Sequence, residues 1–238
     1  MDDFFALLVK EGTPTDHGLR LPTERDLAEL GGLSRATVRE YLAALRIMGL
    51  LTKVHGSANV LHRPTGESAG AIYSVLLQLQ HVTFADVDEA REMFEIGMIR
   101  FVARRIAPGD IERLRLQVRE MSEASAAGNN DAAIEADLAF HRLLFRSLSN
   151  PIVDFAFDGL RVSLRDTLRV RRAQALTAEV LANNGTRPCE FKTDAVHTQI
   201  VEALEAHDGE AAVAAMALHY EQFRDLVTEA PLTKGQHR

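Results

Sequence analysis

Residues 21–61 constrain the fold more than any other part of this chain, because signals that start and stop helices alternate closely there. Thr23, with Asp26 three residues later, is typical of a helix start: the hydroxyl accepts from free amides and the acid faces the positive end of the helix dipole. Gly31 ends that short helix, and Ser34 is the expected cap of a second one. The spacing predicts a helix, a tight turn and another helix.

The second predicted helix has an apolar face and a polar face that begins with basic residues. Arg35, Thr37 and Arg39 lie near the start of the polar face, and residues at the start of such a helix reach base edges in the major groove. Residues 50–61 then predict two short strands joined by a turn. A helix-turn-helix followed by such a hairpin is a winged DNA-binding module; the alternative is an ordinary helical hairpin with a solvated charged face.

The residue order of this stretch resembles a known family. LPTERDLAELGGLSRATVRE, followed by LRIMGLLTKVHG, closely resembles the winged helix-turn-helix of GntR-type transcription regulators, without a gap. The resemblance implies that Arg25, Ser34, Arg35, Thr37 and Arg39 lie at the DNA, with Arg35 and Arg39 reading guanines and Arg25 contacting phosphate. An arginine fork matches the O6 and N7 acceptors of guanine.

The same resemblance places His55 and Gly56 at the tip of the wing, in the minor groove, where glycine allows close approach of the backbone. The charge distribution agrees with a local DNA-binding face. Residues 33–63 hold five Lys and Arg against a single acid, Glu40, whereas the whole chain carries a formal net charge of -7. A positive field is therefore expected at this face and not over the whole molecule.

The length of 238 residues and the hydrophobic content of 46% are enough for a small domain and one of ordinary size. Pro64, Gly66 and Ser68 interrupt the apolar pattern and indicate a linker. We expect a DNA-binding domain at 1–63, a linker at 64–68, an all-α domain at 69–230 and a tail at 231–238.

Beyond the linker almost every segment has helical periodicity. The predicted helices are 69–80, 84–106, 109–127, 130–148, 151–182, 192–207 and 209–228. The predicted fold is therefore mainly α: an N-terminal winged helix-turn-helix with a small β hairpin, followed by an all-α antiparallel bundle of about seven helices.

The sequence favours a cytoplasmic protein. Cys189 is the only cysteine, so an intrachain disulfide is not expected. The first residues lack the basic start and long apolar core of a signal peptide, and the chain contains no apolar run of about eighteen residues that would span a bilayer. We therefore expect no membrane partner.

Histidine placement indicates a candidate metal site. Asp137 and His141 stand four residues apart on one predicted helix, so a carboxylate and an imidazole project from the same face. His197 and His219 lie on the last two predicted helices. The chain has nine histidines, and an acid and a histidine at this spacing are commonly a surface hydrogen bond. Spacing alone therefore favours the surface pair over the metal.

Residues 84–228 resemble the FCD ligand-binding domain of the FadR group of GntR regulators. The matching blocks are VDEAREMFEIGMIRFVARRI, DLAFHRLLFRSLSNP and VHTQIVEALEAHDGEAAVAAMALHYEQF. In metal-binding members, the Asp and His of D-x-x-x-FH and two later histidines hold one divalent ion. The resemblance thus implies one divalent transition metal per subunit, zinc, nickel or manganese, bound by Asp137, His141, His197 and His219.

The resemblance also implies an effector site beside that metal. Open coordination positions would take water or the carboxylate of a small organic acid, and Arg91, in EAREMFE, matches the arginine that helps to hold it. A guanidinium fork suits a bidentate carboxylate. The alternative role for Arg91 is a salt bridge to Glu89 or Glu95.

We therefore expect a ligand-responsive transcription regulator and not an enzyme. A homodimer would present two recognition helices to a pseudo-palindromic operator in double-stranded DNA, and the bound acid would release this repressor. Two alternatives remain open at this point. One is a metal-free regulator that responds to an acyl thioester, and the other is a metalloenzyme with a DNA-binding tether, in which the metal activates water.

Overall fold

The computed structural model describes residues 2–16, 18–54, 58–63 and 65–229. Within these residues the chain forms ten helices and a four-stranded sheet, in agreement with the predicted class. The elements are α1 (Asp2–Glu11), β1 (Thr13–Thr15), β2 (Gly18–Arg20), α2 (Glu24–Gly31), α3 (Arg35–Ile47), β3 (Leu51–Val54), β4 (Ala58–Leu61), α4 (Gly66–Gln78), α5 (Phe84–Ala103), α6 (Pro108–Ala126), α7 (Asn130–Arg146), α8 (Pro151–Ala182), α9 (Lys192–Glu205) and α10 (Gly209–Glu229).

The helices α2 and α3 begin at the predicted caps. The Thr23 hydroxyl accepts from the Asp26 amide at 3.2 Å, and the Ser34 hydroxyl accepts from the Thr37 amide at 3.1 Å. Gly32 ends α2 with a φ of 61°, a left-handed conformation that glycine adopts without a steric penalty. The helix-turn-helix is therefore fixed by local hydrogen bonds at residues that the sequence singled out.

The sheet is larger than predicted. It is antiparallel in the order β1-β2-β4-β3, and the predicted wing hairpin is its β3–β4 half, with Leu51 opposite Leu61. The β1–β2 hairpin was missed, since each strand has three residues and Pro14 lacks an amide donor. It joins the wing through β2, where a Cβ on Gly18 would lie 2.2 Å from the carbonyl oxygen of Leu61.

One apolar core supports the helix-turn-helix. Phe4, Leu8, Leu27, Val38 and Leu42 are buried together, so α1 packs over α2 and α3. The predicted apolar face of α3 points into this core. Its opposite face, which carries the basic residues, is consequently left to the solvent.

The helices α4 to α10 form the predicted bundle. Its main core draws on every helix from α5 to α10, and a second core holds Val87, Ile134, Leu138, Leu164 and Leu168. Residues of α7 are part of both cores, so this helix lies in the interior of the bundle. Of the helices within the described ranges, none is both long and apolar enough to cross a bilayer.

The helix α4 begins at Gly66, inside the predicted linker, so residues 66–68 are helical. It packs against α8 with almost no side chain between the two backbones. A Cβ on Gly70 would lie 2.7 Å from Cγ1 of Val162, and a Cβ on Gly159 would lie 2.5 Å from Cβ of Ala69. This close contact explains the early start, because Gly66 itself lies against α8.

The turn that follows α3 touches the start of α4. Gly49 in this turn has a φ of 68°, and a Cβ there would lie 2.3 Å from the Ser68 hydroxyl oxygen. The helix that carries the predicted DNA contacts is thus connected to α4 through the turn at its C-terminal end, and α4 in turn rests on α8.

Candidate DNA-reading face and metal centre

Four of the predicted DNA-contacting residues lie together at the start of α3. Arg35 and Arg39 are exposed, and Nε of Arg39 is 3.4 Å from the carbonyl oxygen of Arg35. The hydroxyl oxygens of Ser34 and Thr37 are 2.9 Å apart. A helix N-terminus attracts anions through its free amides and its dipole, so this exposed surface suits a phosphate-lined groove.

The remaining predicted contacts lie on α2 and on the wing. Arg25 is exposed on α2, with Nε 3.6 Å from Asp26 Oδ1 and 4.0 Å from Glu29 Oε1. Such surface pairs are weak, which leaves the guanidinium available to a phosphate. His55 and Gly56, the predicted wing tip, lie outside the described residues.

All four predicted metal ligands come together inside the bundle. One ring nitrogen from each of His141, His197 and His219 lies within 4.8 Å of the others, and Asp137 Oδ1 is 3.3 Å from His197 Nε2. The four side chains are buried. They come from α7, α9 and α10, so tertiary packing and not a local motif builds the cluster.

Neighbouring groups hold two of the rings in place. His197 Nδ1 lies 3.1 Å from the Asp194 carbonyl oxygen, and His141 Nδ1 lies 2.6 Å from Glu95 Oε2. His197 donates through Nδ1 and so presents the lone pair of Nε2, which is how metal-binding histidines are usually oriented. His141 Nδ1 and Glu95 Oε2 are in contact without the alignment of a hydrogen bond.

Unsatisfied nitrogens remain at the centre of the cluster. Nε2 of His141 and Nδ1 of His219 have no hydrogen-bond partner in the part of the chain that the structure describes. Buried polar atoms without a partner cost free energy, and a metal ion would satisfy both. The donor set of three imidazoles and one carboxylate therefore fits a divalent transition metal.

The protonation states also fit a metal. Burial, followed by the positive charges that His197 and His141 would carry, lowers the pKa of His219 well below its usual range. Burial opposes ionisation of Asp137, but the His197 ring and Arg172 outweigh it and hold the pKa of this carboxyl well below its usual range. A neutral imidazole and an ionised carboxylate are the forms that bind a metal.

Arg172 on α8 is a site residue that the sequence did not reveal. Its guanidinium is buried and lies between two carboxylates: NH1 donates to Asp137 Oδ1 at 3.3 Å, and NH2 donates to Asp194 Oδ1. Asp194 precedes His197 by one turn of α9. Arg172 thus ties the ligand-bearing parts of α7 and α9 to α8.

Arg91 is buried on α5, and its Nε donates to Glu95 Oε1 at 2.6 Å. The salt bridge to Glu95 that the sequence left open as an alternative is therefore present. Burial opposes ionisation of Glu95, but Arg91 and then His141 outweigh it and lower its pKa. Glu95 consequently joins Arg91 to His141 as a charged link.

Arg91 also lines a partly open cavity beside the histidine cluster. The cavity measures about 20 Å³, room for roughly one water molecule. Its polar lining includes Asp137, Arg172, His219 and Tyr220. The salt bridge and the predicted place next to the metal ligands are therefore compatible roles for Arg91.

One sequence signal could have revealed the missed residues. On α8, Leu160, Leu164, Leu168, Arg172 and Leu176 recur every four residues, and all are buried. An apolar stripe at this spacing faces a core, so a charged residue within it must have a buried partner. The same reasoning applies to Arg91 and Glu95, which continue the buried stripe of α5.

Comparison with known proteins agrees with both halves of the molecule. Residues 86–222 match the model of the FCD domain, and residues 11–60 match that of bacterial regulatory proteins of the gntR family. The HTH-type transcriptional repressor NanR of Enterobacter sp. (strain 638) is 30% identical over 207 residues, which cover 85% of this chain and 74% of that protein.

Two further relatives cover nearly the whole chain. The HTH-type transcriptional regulator LutR of Bacillus subtilis (strain 168) is 26% identical over 89% of this chain and 92% of its own length. The Streptococcus agalactiae GntR structure is 22% identical and superposes with a TM-score of 0.69, covering 94% of this chain and 96% of that one.

The matched families consist of regulatory proteins and not of enzymes, in agreement with the prediction. The winged helix-turn-helix and the FCD domain, each matched at the place where its fold is found, together identify the chain as a DNA-binding transcription regulator that belongs to the gntR family and carries an FCD domain.

Proposed function

We propose that this protein is a repressor whose DNA affinity falls when a small organic acid binds at a metal centre in the FCD domain. A homodimer formed through the helical domains presents two α3 helices to a pseudo-palindromic operator in the bacterial cytoplasm. The proposed division is a DNA-binding domain at 1–63, a linker at 64–68 and an effector domain at 69–230, of the seven-helix FadR type. The relatives named as repressors support the direction of control.

The observation that carries this proposal is the buried histidine cluster beside an arginine-lined cavity. His141, His197 and His219 present ligand nitrogens to one another, and Arg91 lines the neighbouring cavity. A domain that had only to dimerise would gain nothing from unsatisfied nitrogens in its interior. The cluster therefore favours a binding role for the bundle.

Asp137, His141, His197 and His219 would hold one zinc, nickel or manganese ion, and the bound ion would offer open positions to an effector carboxylate. Two arginines of the chain would complete the site. Arg91 would bind the carboxylate as a fork, and Arg172 would fix Asp137 against α8. Binding would thereby draw α5, α7, α8, α9 and α10 together.

The size of the cavity supports two conformations. A space of about 20 Å³ is too small for an organic acid, so binding of one would require the residues that line the cavity to move apart. The acid then binds the wider conformation preferentially, which is the requirement for shifting an equilibrium. Couplings of this kind are typically about 1–3 kcal/mol.

The two alternatives receive less support. An acyl thioester needs a long apolar cavity, whereas this one is short and lined by charged residues such as Arg91, Asp137 and Arg172. A DNA-tethered metalloenzyme has no support from the families that match the chain.

Fluorescence anisotropy with DNA from upstream of the gene tests the proposal. The metal-loaded protein should bind this DNA and lose about tenfold or more of its affinity on addition of the effector acid. Asp137→Ala should lose the metal and the response to acid while still binding DNA. Asp131→Ala is the matched control, since Asp131 is an exposed acid on the same helix, 3.0 Å from Arg169. An Asp137→Ala protein with unchanged metal content and unchanged response would refute the role of the metal.

A further inference from the structure

The helix α9, which carries the candidate metal ligand His197, begins without a cap of its own. The residue before its first turn, Phe191, makes no side-chain hydrogen bond to the helix and is buried, with 1% of its surface exposed. The first amides of a helix have no acceptor within the helix, and a buried amide needs a partner from the protein. The start of α9 therefore requires acceptors from elsewhere in the bundle.

Glu179, near the end of α8, provides these acceptors. Its carboxylate accepts from the Lys192 amide and, at 3.0 Å, from the Thr193 amide, and it also accepts from the Thr193 hydroxyl. A carboxylate at this place faces the positive end of the helix dipole, which strengthens such hydrogen bonds. Glu179 thus caps α9 from a neighbouring helix.

The position of Glu179 in the interior is explained by this cap. The residue is 6% exposed, and in the part of the chain that the structure describes its carboxylate hydrogen-bonds only to the start of α9. A buried carboxylate without hydrogen-bond partners would lose its hydration at a large cost in free energy. The contacts with α9 therefore offset the burial of this acid.

Two side chains of α8 hold the start of α9. Arg172 donates to the Asp194 carboxylate, and Glu179 lies seven residues further along α8, about two helical turns on. The two helices make few other close approaches, because α9 packs mainly on α6 and α10. A polar residue at position 191 would also cap α9, but it would not tie that helix to α8.

The first turn of α9 leads directly to His197. The Asp194 carbonyl oxygen lies 3.1 Å from Nδ1 of His197, and Nε2 of the same ring lies 3.3 Å from Asp137 Oδ1. The direction of the Asp194 carbonyl group thus sets the orientation in which the ring presents Nε2. Contacts behind a metal-binding histidine commonly have this effect. A shift of the first turn would turn the ring away from the other ligands.

We propose that Glu179 is a positioning residue of the metal centre. It fixes the first turn of α9 against α8 and, through the Asp194 carbonyl group, holds the His197 ring in the orientation that binds the ion. The inference rests on the proposed function, because it presupposes a metal ion at His197. Glu179 acts through α9 and not as a ligand.

Zinc binding by two variants tests this role. Glu179→Ala removes all three hydrogen bonds, and competition with a fluorescent chelator should show about tenfold weaker zinc binding than in the wild type. Glu179→Gln keeps the volume of the side chain and one acceptor oxygen, but it turns an amide donor towards a donor of α9. Its zinc affinity should therefore lie between those of the wild type and Glu179→Ala, and it tests the role even if Glu179→Ala does not fold.

Asn150→Ala is the matched control, since the Asn150 side chain caps α8 by accepting from the Ile152 amide at 3.0 Å. Loss of this ordinary cap should lower the melting temperature by about 2–4 °C. The zinc affinity of Asn150→Ala should equal that of the wild type, because lower stability alone does not change the affinity of the folded protein.

The metal-free protein gives a second readout. With histidine labelled by nitrogen-15, the Nδ1 resonance of His197 should shift in Glu179→Gln and stay at its wild-type position in Asn150→Ala. Wild-type zinc affinity in both Glu179 variants would overturn the positioning role and leave the metal centre intact. If the wild-type protein binds neither zinc, nickel nor manganese, the proposed metal centre fails and the role of Glu179 fails with it.

Discussion

The candidate DNA-reading face and the candidate metal centre are both polar sites, but they are built in opposite ways. The first lies on the exposed side of α2 and α3, above an apolar core. The second lies inside the bundle, and its ligands come from α7, α9 and α10. A surface site can be assembled from neighbouring residues, whereas a buried site must also satisfy every polar atom that it takes from water.

The energetic consequences differ accordingly. Exposed pairs such as Arg25 with Asp26 contribute little to stability, so the reading face can exchange them for DNA phosphates at small cost. The buried pair of Arg91 and Glu95 is different, because removing one partner leaves an unpaired charge in the interior. Substitutions of the exposed arginines at the reading face should therefore affect binding alone, while those at the candidate metal centre should affect both binding and stability.

The largest effect is expected at the reading face. The double variant Arg35→Ala, Arg39→Ala removes both predicted guanine contacts, each worth about 1–3 kcal/mol, so operator affinity in fluorescence anisotropy should fall by about 100-fold or more. Metal content and melting temperature should not change. Arg113→Ala, which removes an exposed arginine of α6 paired with Asp110, is the control. Equal affinities for the double variant and the control would refute the assignment of α3.

A somewhat smaller effect is expected next to the metal. Glu95→Gln weakens the contact that orients the His141 ring, and such supporting contacts typically change metal affinity by about 10–100-fold. Competition with a chromophoric chelator measures this change. The melting temperature of the metal-free protein should also fall, because Arg91 loses the negative charge that neutralises it in the interior.

The control for this variant is Glu92→Gln, which removes a charge from the same helix at a residue paired with Arg224 on the surface. It should keep the metal affinity of the wild type. A Glu95→Gln protein that binds metal as tightly as Glu92→Gln would show that His141 does not depend on Glu95. Glu95→Gln and Glu92→Gln should bind the operator with the same affinity, since neither substitution lies at the reading face.

The same contrast explains what the sequence could predict. The caps Thr23 and Ser34 act on amides three residues away, so helix-turn-helix boundaries follow from local chemistry. Asp137 and His141 stand four residues apart, but His197 and His219 lie far from them along the chain, and only the resemblance to a family connected all four. For Arg172 there was neither a local hydrogen-bonding signal nor a family resemblance. Only its place in an apolar stripe set it apart, since its partners Asp137 and Asp194 meet it only in the folded bundle.

A third prediction concerns the contact that links the two regions. A Cβ at Gly159 would lie 2.5 Å from Cβ of Ala69, so Gly159→Ala must move α4 away from α8. Overpacking of this kind typically lowers the free energy of unfolding by about 1–3 kcal/mol. Because α4 also touches the end of α3 through Ser68, the change in operator affinity on addition of the effector should decrease.

Gly97→Ala is the matched control for Gly159→Ala. It is also a glycine within a long helix, but a Cβ there meets nothing within 4 Å, so the substitution should be neutral or slightly stabilising. Chemical denaturation measures the stabilities, and anisotropy with and without effector measures the response. If both variants respond to the effector as the wild type does, the contact of α4 with α8 does not carry the signal.

The smallest effect compares one helix cap in each region. Ser34→Ala and Thr83→Ala each remove a hydroxyl that accepts an amide hydrogen bond, and each should lower the free energy of unfolding by about 1 kcal/mol. Only Ser34→Ala should also weaken operator binding, because only its helix faces DNA.

The pH dependence of stability should distinguish the two caps as well. Hydrogen bonds from the Thr83 hydroxyl and amide lower the pKa of Asp86. A carboxyl whose pKa is lower in the folded state stabilises the fold above its unfolded-state pKa of about 3.9, and this stabilisation is lost as the pH falls through the folded-state value. Thr83→Ala should therefore lose less stability than the wild type between about pH 5 and pH 3, whereas Ser34→Ala should follow the wild-type profile, since Ser34 caps α3 without a carboxylate in its first turn. Parallel profiles for all three proteins in urea denaturation would show that the Thr83–Asp86 pair contributes nothing to acid sensitivity.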